Sequence, residues 1–224
     1  SIGENLPPAA SERRPSQAGK PFQALSISLI IHPRNPFVPT THMNLRFFSI
    51  EQDRPEWYFG GGYDLTPFYG FVEDAVSWHE NAQSVTGAHY PQMKKDCDDY
   101  FFLPHRDEQR GIGGIFFDDF ALEDFDETFQ FVKNVGDSFF PAYKTIFERR
   151  VATPFEPKHR EFQLYRRSRY AEFNLIVDRG TRYGLQSGRR IESVLSSMPP
   201  LVAWKYQNEA QAGSREHTLT DYYL

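Results

Sequence analysis

Cysteine is nearly absent from this chain: Cys97 is alone among 224 residues. A single thiol excludes an internal disulfide and any metal site built from several thiolates, so a reducing compartment is permitted. No apolar run approaches the roughly 20 residues that a membrane helix needs. Basic charge is also short, at net −5, which argues against general nucleic-acid binding. There is no HExxH pair, no GxxxxGK[ST] loop and no GxGxxG between a strand and a helix. Gly111-Ile-Gly-Gly is too short to serve as either phosphate loop. No signal peptide is visible. The polar opening Ser1-Ile-Gly-Glu-Asn-Leu-Pro-Pro, without methionine, reads as the interior of a longer protein.

Aromatic residues are plentiful instead. The 21 Phe and 12 Tyr are enough for a sizeable core and a broad apolar pocket. Residues 1–20 read as a loop or arm. Alternation predicts strands over Ala24 to His32 and Thr40 to Ile50, joined by a turn at Pro33–Pro39. Trp57 to Phe59 opens a third strand, and three strands without an intervening helix favour an antiparallel sheet. Helices are predicted over Pro67–Gln83, with Thr66 as cap, and over Pro91–Leu103. A strand at Gly111–Asp118 and helices at Leu122–Asp137 and Ser138–Arg150 follow, Phe125, Phe129 and Val132 sharing one helical face. Glu161–Arg167 reads as helix or strand. Tyr170–Val177 reads as a strand, Ile191–Met198 as a short helix or turn, and Leu201–Tyr206 as a last strand. Residues 207–224 read as a polar tail. The expected fold is α+β, a single domain over 21–206 with a large antiparallel sheet.

Between Phe59 and Thr66, Gly60-Gly-Gly-Tyr-Asp64 places three bare backbone positions before one acid. That pattern serves either as a bulge with a capping acid or as room for a flat ligand beside a carboxylate. In the second strand, alternation sets His42, Asn44 and Arg46 on one face. An acid–base group, an amide and a guanidinium there suit a polar ligand. Charge is segregated along the chain. Residues 160–190 hold eight arginines, no lysine and three acids, net +5; residues 96–127 hold eleven acids against two arginines, net −9. The two blocks either pair with each other or leave an arginine rim for a polyanion, with a polycarboxylate favoured over a nucleotide. Seven histidines are present. His32 and His42 with His79 or His105 form a conceivable divalent-metal set on weak spacing.

Phe59-Gly-Gly-Gly-Tyr-Asp-Leu-Thr-Pro-Phe-Tyr, His105-Arg-Asp-Glu-Gln-Arg-Gly-Ile-Gly-Gly-Ile-Phe-Phe-Asp-Asp119, Glu172-Phe-Asn-Leu-Ile-Val-Asp-Arg-Gly-Thr181 and Gly184-Leu-Gln-Ser-Gly-Arg-Arg-Ile-Glu-Ser193 resemble the oxygen-dependent coproporphyrinogen III oxidases. Met198-Pro-Pro-Leu-Val-Ala-Trp-Lys-Tyr206 adds to the match, which runs from about Gly3 to Tyr206. The resemblance implies a homodimer with helices on both faces of the sheet, acting on a tetrapyrrole in the cytoplasm. It implies aerobic decarboxylation of two propionates of coproporphyrinogen III, with O2 as co-substrate and no organic cofactor. It implies His42 as proton donor, with Asp64 and Asp178 engaging pyrrole N–H groups. Ser28, Asn44, Leu45, Arg46, Gly188, Arg189 and Arg190 are implied substrate contacts. His32, His42, His79 and His105 are implied as metal ligands in some members. Relative to the family pattern, the N-terminal part and the C-terminal end are missing and the segment after Ser84 is short. The rival from another class is a tetrapyrrole carrier or sensor that does no chemistry. A histidine-ligated metalloenzyme is the second rival.

Overall fold

The computed structural model describes residues 2–6, 14–53, 56–186 and 190–224. Its centre is a five-stranded antiparallel sheet in the order β1-β2-β3-β4-β7. These strands are β1 (Ile2–Gly3), β2 (Phe22–Ile31), β3 (Thr40–Ile50), β4 (Glu56–Thr66) and β7 (Gly113–Phe120). Two short strands, β5 (Phe102–Leu103) and β6 (Glu108–Gln109), form a separate ladder. The register places Ser28 opposite Asn44, and His42 opposite both Ile30 and Asp64. Because side chains alternate across a strand, the sheet has two unlike faces.

One face carries Met43, Leu45, Phe47, Tyr63, Leu65, Ile115 and Phe117 and builds the main core. Helices α1 (Val72–Thr86) and α3 (Phe125–Arg150) cover it. Trp78 of α1 is fully buried there and donates its indole N–H to the Gly113 carbonyl at 3.0 Å. Asp124 caps α3 by accepting from the Glu127 amide, and Asp126 and Glu127 begin a helix that Arg149 and Arg150 end, matching its dipole. The helix is continuous through Pro141, where two helices were expected. Phe125 and Phe129 do share an aromatic surface with Trp57 and Phe59, although both remain exposed.

The opposite face carries Ser28, His42, Asn44, Arg46, Gly60, Gly62 and Asp64. Helix α2 (Tyr90–Phe101), the end of α4 (Pro157–Glu172) and a π turn at Phe173–Val177 pack over part of it. Cys97, Phe101, Leu103 and Phe173 form their shared core. At the far end Leu6 inserts between Phe22 and Ile50. Leu6 is therefore part of a core cluster.

Four expectations change. Strand β4 runs on through the glycines to Thr66, and α1 starts at Val72 with Phe71 as cap, so Thr66 is no helix cap and Asp64 is not at a strand end. Pairing with both β3 and β7 holds those residues extended. Tyr170–Val177 is helical and π-turned rather than a strand. Its alternating pattern fits a helix end with one side packed, since Tyr170 and Phe173 are buried while Leu175 and Ile176 face solvent. Leu201–Tyr206 forms no strand; it lies along α4, the Ala203 N–H on the Leu164 carbonyl at 2.9 Å and the Trp204 indole N–H on Glu172 at 2.8 Å. The polar tail is docked: α7 (Arg215–Thr218) puts Glu216 on the Tyr69 hydroxyl at 2.6 Å, and Leu219 is buried. Helices α5 (Arg179–Gln186) and α6 (Ile191–Leu195) complete the elements.

Candidate functional site

The polar face of β3 is the floor of the site. The β3–β4 register sets His42 directly across from Asp64, and His42 Nδ1 lies 2.9 Å from Asp64 Oδ1. Asp64 Oδ2 accepts from Arg110 Nη2 at 2.7 Å. The acid and the arginine are only 2% and 3% exposed. Burial by itself would raise the Asp64 pKa, but the Arg110 charge and His42 outweigh it and hold the carboxyl below its ordinary range. Arg110 is caged by aromatic rings: Phe101, Tyr170 and Phe173 stand 4.0, 4.3 and 4.6 Å from its guanidinium carbon. Sequence reading missed Arg110, which sits in the acidic block. The one available signal was an isolated arginine immediately before the glycine-led strand.

With Nδ1 donating to an ionised Asp64, His42 presents Nε2 to the rest of the site. A histidine oriented by a buried carboxylate suits proton transfer. Its ring also meets Phe101 edge-on at 6.2 Å. Asp64 has one oxygen on His42 and the other on Arg110, so it acts through the histidine.

Asn44 and Arg46 follow on the same face, Arg46 Nη1 donating to Asn44 Oδ1 at 3.0 Å. Ser28 is exposed beside Asn44. Leu45 points the other way: its side chain belongs to the main core and would meet a Cβ placed on Gly136 of α3. Arg46 also pairs with Asp118 of β7, and Arg179 Nη2 donates to the second oxygen of Asp118 at 2.8 Å. Asp178 is brought over this face by Tyr100, whose hydroxyl donates to Oδ1 at 2.8 Å, while Oδ2 accepts from the Thr181 amide and hydroxyl. Tyr100 in turn stacks on Phe116 at 4.5 Å. Arg190 is exposed at the start of α6, and Gly188 and Arg189 lie outside the described residues.

The glycines have a structural reason different from a flat floor. Gly61 and Gly62 have φ of +147° and +139°, and any Cβ there would run into the Asn44 and Ile115 carbonyl oxygens. Gly60 makes room for the Arg46 guanidinium, which would lie 2.6 Å from its Cβ. The pairing of β4 with β7 shifts register between Phe59 and Gly61.

Arg166, Arg167 and Arg169 of the arginine block are internal, whereas Arg179, Arg182 and Arg190 are exposed. Arg166 and Arg169 of α4 bind Glu108, and Arg167 donates to the Pro33 carbonyl at 2.8 Å. Arg106 donates twice to Glu172, which also accepts from His105 and Trp204 and has its pKa pulled down to about 2. Burial opposes that shift, and the hydrogen bonds from Arg106, His105 and Trp204 overcome it. Arg166 and Arg169 thus meet the acidic block at Glu108 and Arg179 meets it at Asp118, while Asp98, Asp99 and Asp119 pair with Lys94, Lys95 and Arg14.

The histidines do not converge. His32 lies between Thr40 Oγ1 and the Ser197 carbonyl, at 3.2 and 2.9 Å. His79 lies between the Ile112 carbonyl and the Tyr90 hydroxyl, at 3.1 and 3.0 Å. Burial pushes the pKa of each down to about 4. His105 is on Glu172 and His42 on Asp64. Among the described residues no three His, Cys, Asp or Glu side chains gather to hold a metal ion, so the four-histidine set does not fit this geometry.

A family model described as coproporphyrinogen III oxidase matches residues 1–224. A relative from Francisella philomiragia, an oxygen-dependent coproporphyrinogen-III oxidase, is 53% identical over 226 residues, covering 98% of this chain and 73% of its own length.

Proposed function

The chain belongs to the coproporphyrinogen III oxidase family, and from that premise we propose the reaction: two propionates of coproporphyrinogen III are oxidatively decarboxylated to vinyl groups, giving protoporphyrinogen IX for haem biosynthesis. O2 is the co-substrate. For each propionate, the C–H bond beside the ring breaks and its hydrogen leaves with both electrons to O2. The C–CO2 bond then breaks, and its electron pair becomes the vinyl double bond. Starting from a carboxylate, one further proton must reach the reduced oxygen to complete H2O2. His42 Nε2 supplies it, with Asp64 holding the imidazolium and Arg110 holding Asp64. Arg46 fixes a propionate so that the reacting carbon stays aligned. Ser28 and Asn44 on the same face contact the macrocycle, as do Gly188, Arg189 and Arg190. Asp178 engages pyrrole N–H groups, raising the electron density that O2 takes up. Leu45 contributes as core, through the backbone it anchors.

The observation that carries this reading is the buried ion pair beneath His42. A carrier has no use for an ionised carboxylate held in the dry interior behind one histidine. The test is incubation with coproporphyrinogen III in air and under nitrogen. Oxygen uptake with a divinyl product in air alone supports the oxidase; binding without oxygen uptake leaves only a carrier. No metal takes part in the proposed steps, and full turnover in a strong chelator is the expected result.

The homodimer is likewise a proposal. Ile27 lies exposed beside Leu45, which reaches α3 at Gly136, and the exposed Phe129 and Phe140 flank that glycine along the helix. Such an apolar strip suits a subunit contact. Sedimentation velocity at micromolar concentration should give twice the chain mass.

A further inference from the structure

We propose that Tyr100 is a positioning residue of the reaction: its hydroxyl aims the Asp178 carboxylate at a pyrrole N–H of the bound macrocycle. The inference rests on the proposed function, in which Asp178 meets pyrrole N–H groups, and adds the residue that holds it for that task.

Asp178 does not stand on a strand. It follows the π turn Phe173–Val177 and precedes α5, so its backbone is fixed by a turn and a helix start. Its N–H closes the π turn on the Phe173 carbonyl at 2.9 Å. Single π turns of this kind recur at functional sites. Oδ2 accepts from the Thr181 amide at 2.6 Å and from the Thr181 hydroxyl at 2.8 Å, which caps α5. Those bonds hold one oxygen and leave the carboxylate a pivot about it. The Tyr100 hydroxyl donates to Oδ1 at 2.8 Å and fixes that pivot.

Tyr100 is itself held by rings. It lies flat on Phe116 of β7, with centroids 4.5 Å and planes 9° apart, and meets Phe101 and Phe173 edge-on at 5.0 and 5.6 Å. Its ring touches the residue that opens the π turn, and its hydroxyl touches the residue that follows the turn. The aim of Asp178 is thus referred to the sheet, through Phe116, and not to the turn alone. Burial, and next the Asp178 charge, push the Tyr100 pKa up to about 12, so the hydroxyl keeps its proton and remains a donor. Asp178 is half-buried, so a further donor can reach it. A carboxylate oxygen has two lone pairs, and Oδ1 can accept an N–H beside the Tyr100 hydroxyl.

The rival reading is that the bond pins the start of α5 to α2 and nothing more. The two differ in which macrocycle notices its loss. Coproporphyrinogen has four pyrrole N–H groups on a flexible ring. Unreactive coproporphyrin keeps the same four carboxylates on a flat ring whose two N–H groups point inward. A displaced α5 would weaken both, whereas a mis-aimed Asp178 weakens the first alone. The experiment is calorimetric titration of the whole chain with each macrocycle under nitrogen, where no turnover occurs, with kcat measured in air. For Tyr100→Phe, which keeps the ring stack, the expected result is about fivefold weaker binding of coproporphyrinogen, the scale of one hydrogen bond, and coproporphyrin binding within about twofold of wild type. Its kcat should fall about tenfold or more as the reacting groups lose alignment. Asp178→Asn should show the same selective loss. Equal weakening toward both macrocycles in Tyr100→Phe, or unchanged binding and kcat, overturns the inference. A selective loss in Asp178→Asn with none in Tyr100→Phe overturns the aiming role and leaves the reading of Asp178 standing. No selective loss in either variant overturns both. Wild-type turnover is the separate check on the oxidase: its absence would count against that reaction, while the two titrations still decide the role of Tyr100.

Discussion

Asp64 is ionised in the dry interior because Arg110 sits on one oxygen and His42 on the other. Removing its charge leaves Arg110 buried without a counter-ion, which typically costs about 3–5 kcal/mol. Asp64→Asn should therefore lose both stability and turnover. The double change Asp64→Leu with Arg110→Met should recover stability, since apolar replacement of a buried pair is often neutral, yet stay inactive. Urea unfolding and turnover on the same samples check this; an active double variant would contradict the role given to the pair. Leu45→Ala makes the opposite prediction. A core residue on the helix side should cost about 2 kcal/mol and leave KM unchanged, whereas Arg46→Gln should raise KM with little loss of stability. At this scale, alternation was enough to set His42, Asn44 and Arg46 together, because the period of a strand is local. Asp64 needed the register between two strands. Arg110 needed a contact across the fold, from the loop before β7 into the layer above β4, which no local pattern encodes.

Elements carry their own lesson in β4. Its triple glycine reads in sequence as bare space for a ligand, but two of the three are demanded by backbone. Gly61→Ala or Gly62→Ala would place a methyl group against a neighbouring carbonyl at a positive φ, a strain of several kcal/mol that the three-strand pairing cannot relieve. Gly60→Ala meets only the flexible end of Arg46. The expected outcome is a folded Gly60→Ala protein with raised KM and a poorly folded Gly61→Ala protein, read by circular dichroism and steady-state kinetics. Equal behaviour of the two would contradict this division. The hairpin strands β2 and β3 were legible because their alternation coincides with their pairing. Tyr170–Val177 was not, because a half-buried helix end and an alternating strand can share one short apolar pattern.

Across the whole molecule, the α+β class and the antiparallel sheet follow from strands in succession and then helices, whereas helices on both faces were implied by the family resemblance. The docked tail did not, because its anchor is one buried residue, Leu219, in a polar stretch. Among the described residues no helix is long and apolar enough to cross a membrane. Acid stability is set by groups far apart in the fold. His32 and His79 titrate at about 4 when folded, because burial disfavours their charged forms, against an ordinary 6.5. Between those values the unfolded chain binds more protons, so stability is full above pH 6.5 and falls as pH drops toward 4. Glu172, held at about 2 when folded against 4.5, adds a further loss from pH 4.5 downward. Urea midpoints should therefore begin to drop below pH 6.5, and the double variant His32→Gln, His79→Gln should flatten the curve between 6.5 and 4. A wild-type midpoint constant down to pH 4.5 would contradict this.

The central claim is that His42, set by Asp64, delivers the proton that completes O2 reduction. It is tested most directly by His42→Gln, assayed for turnover of coproporphyrinogen III and for binding of unreactive coproporphyrin. The account predicts binding within about twofold of wild type and turnover lower by about 10²–10⁴. Turnover within a few-fold of wild type in a variant that binds normally would contradict it.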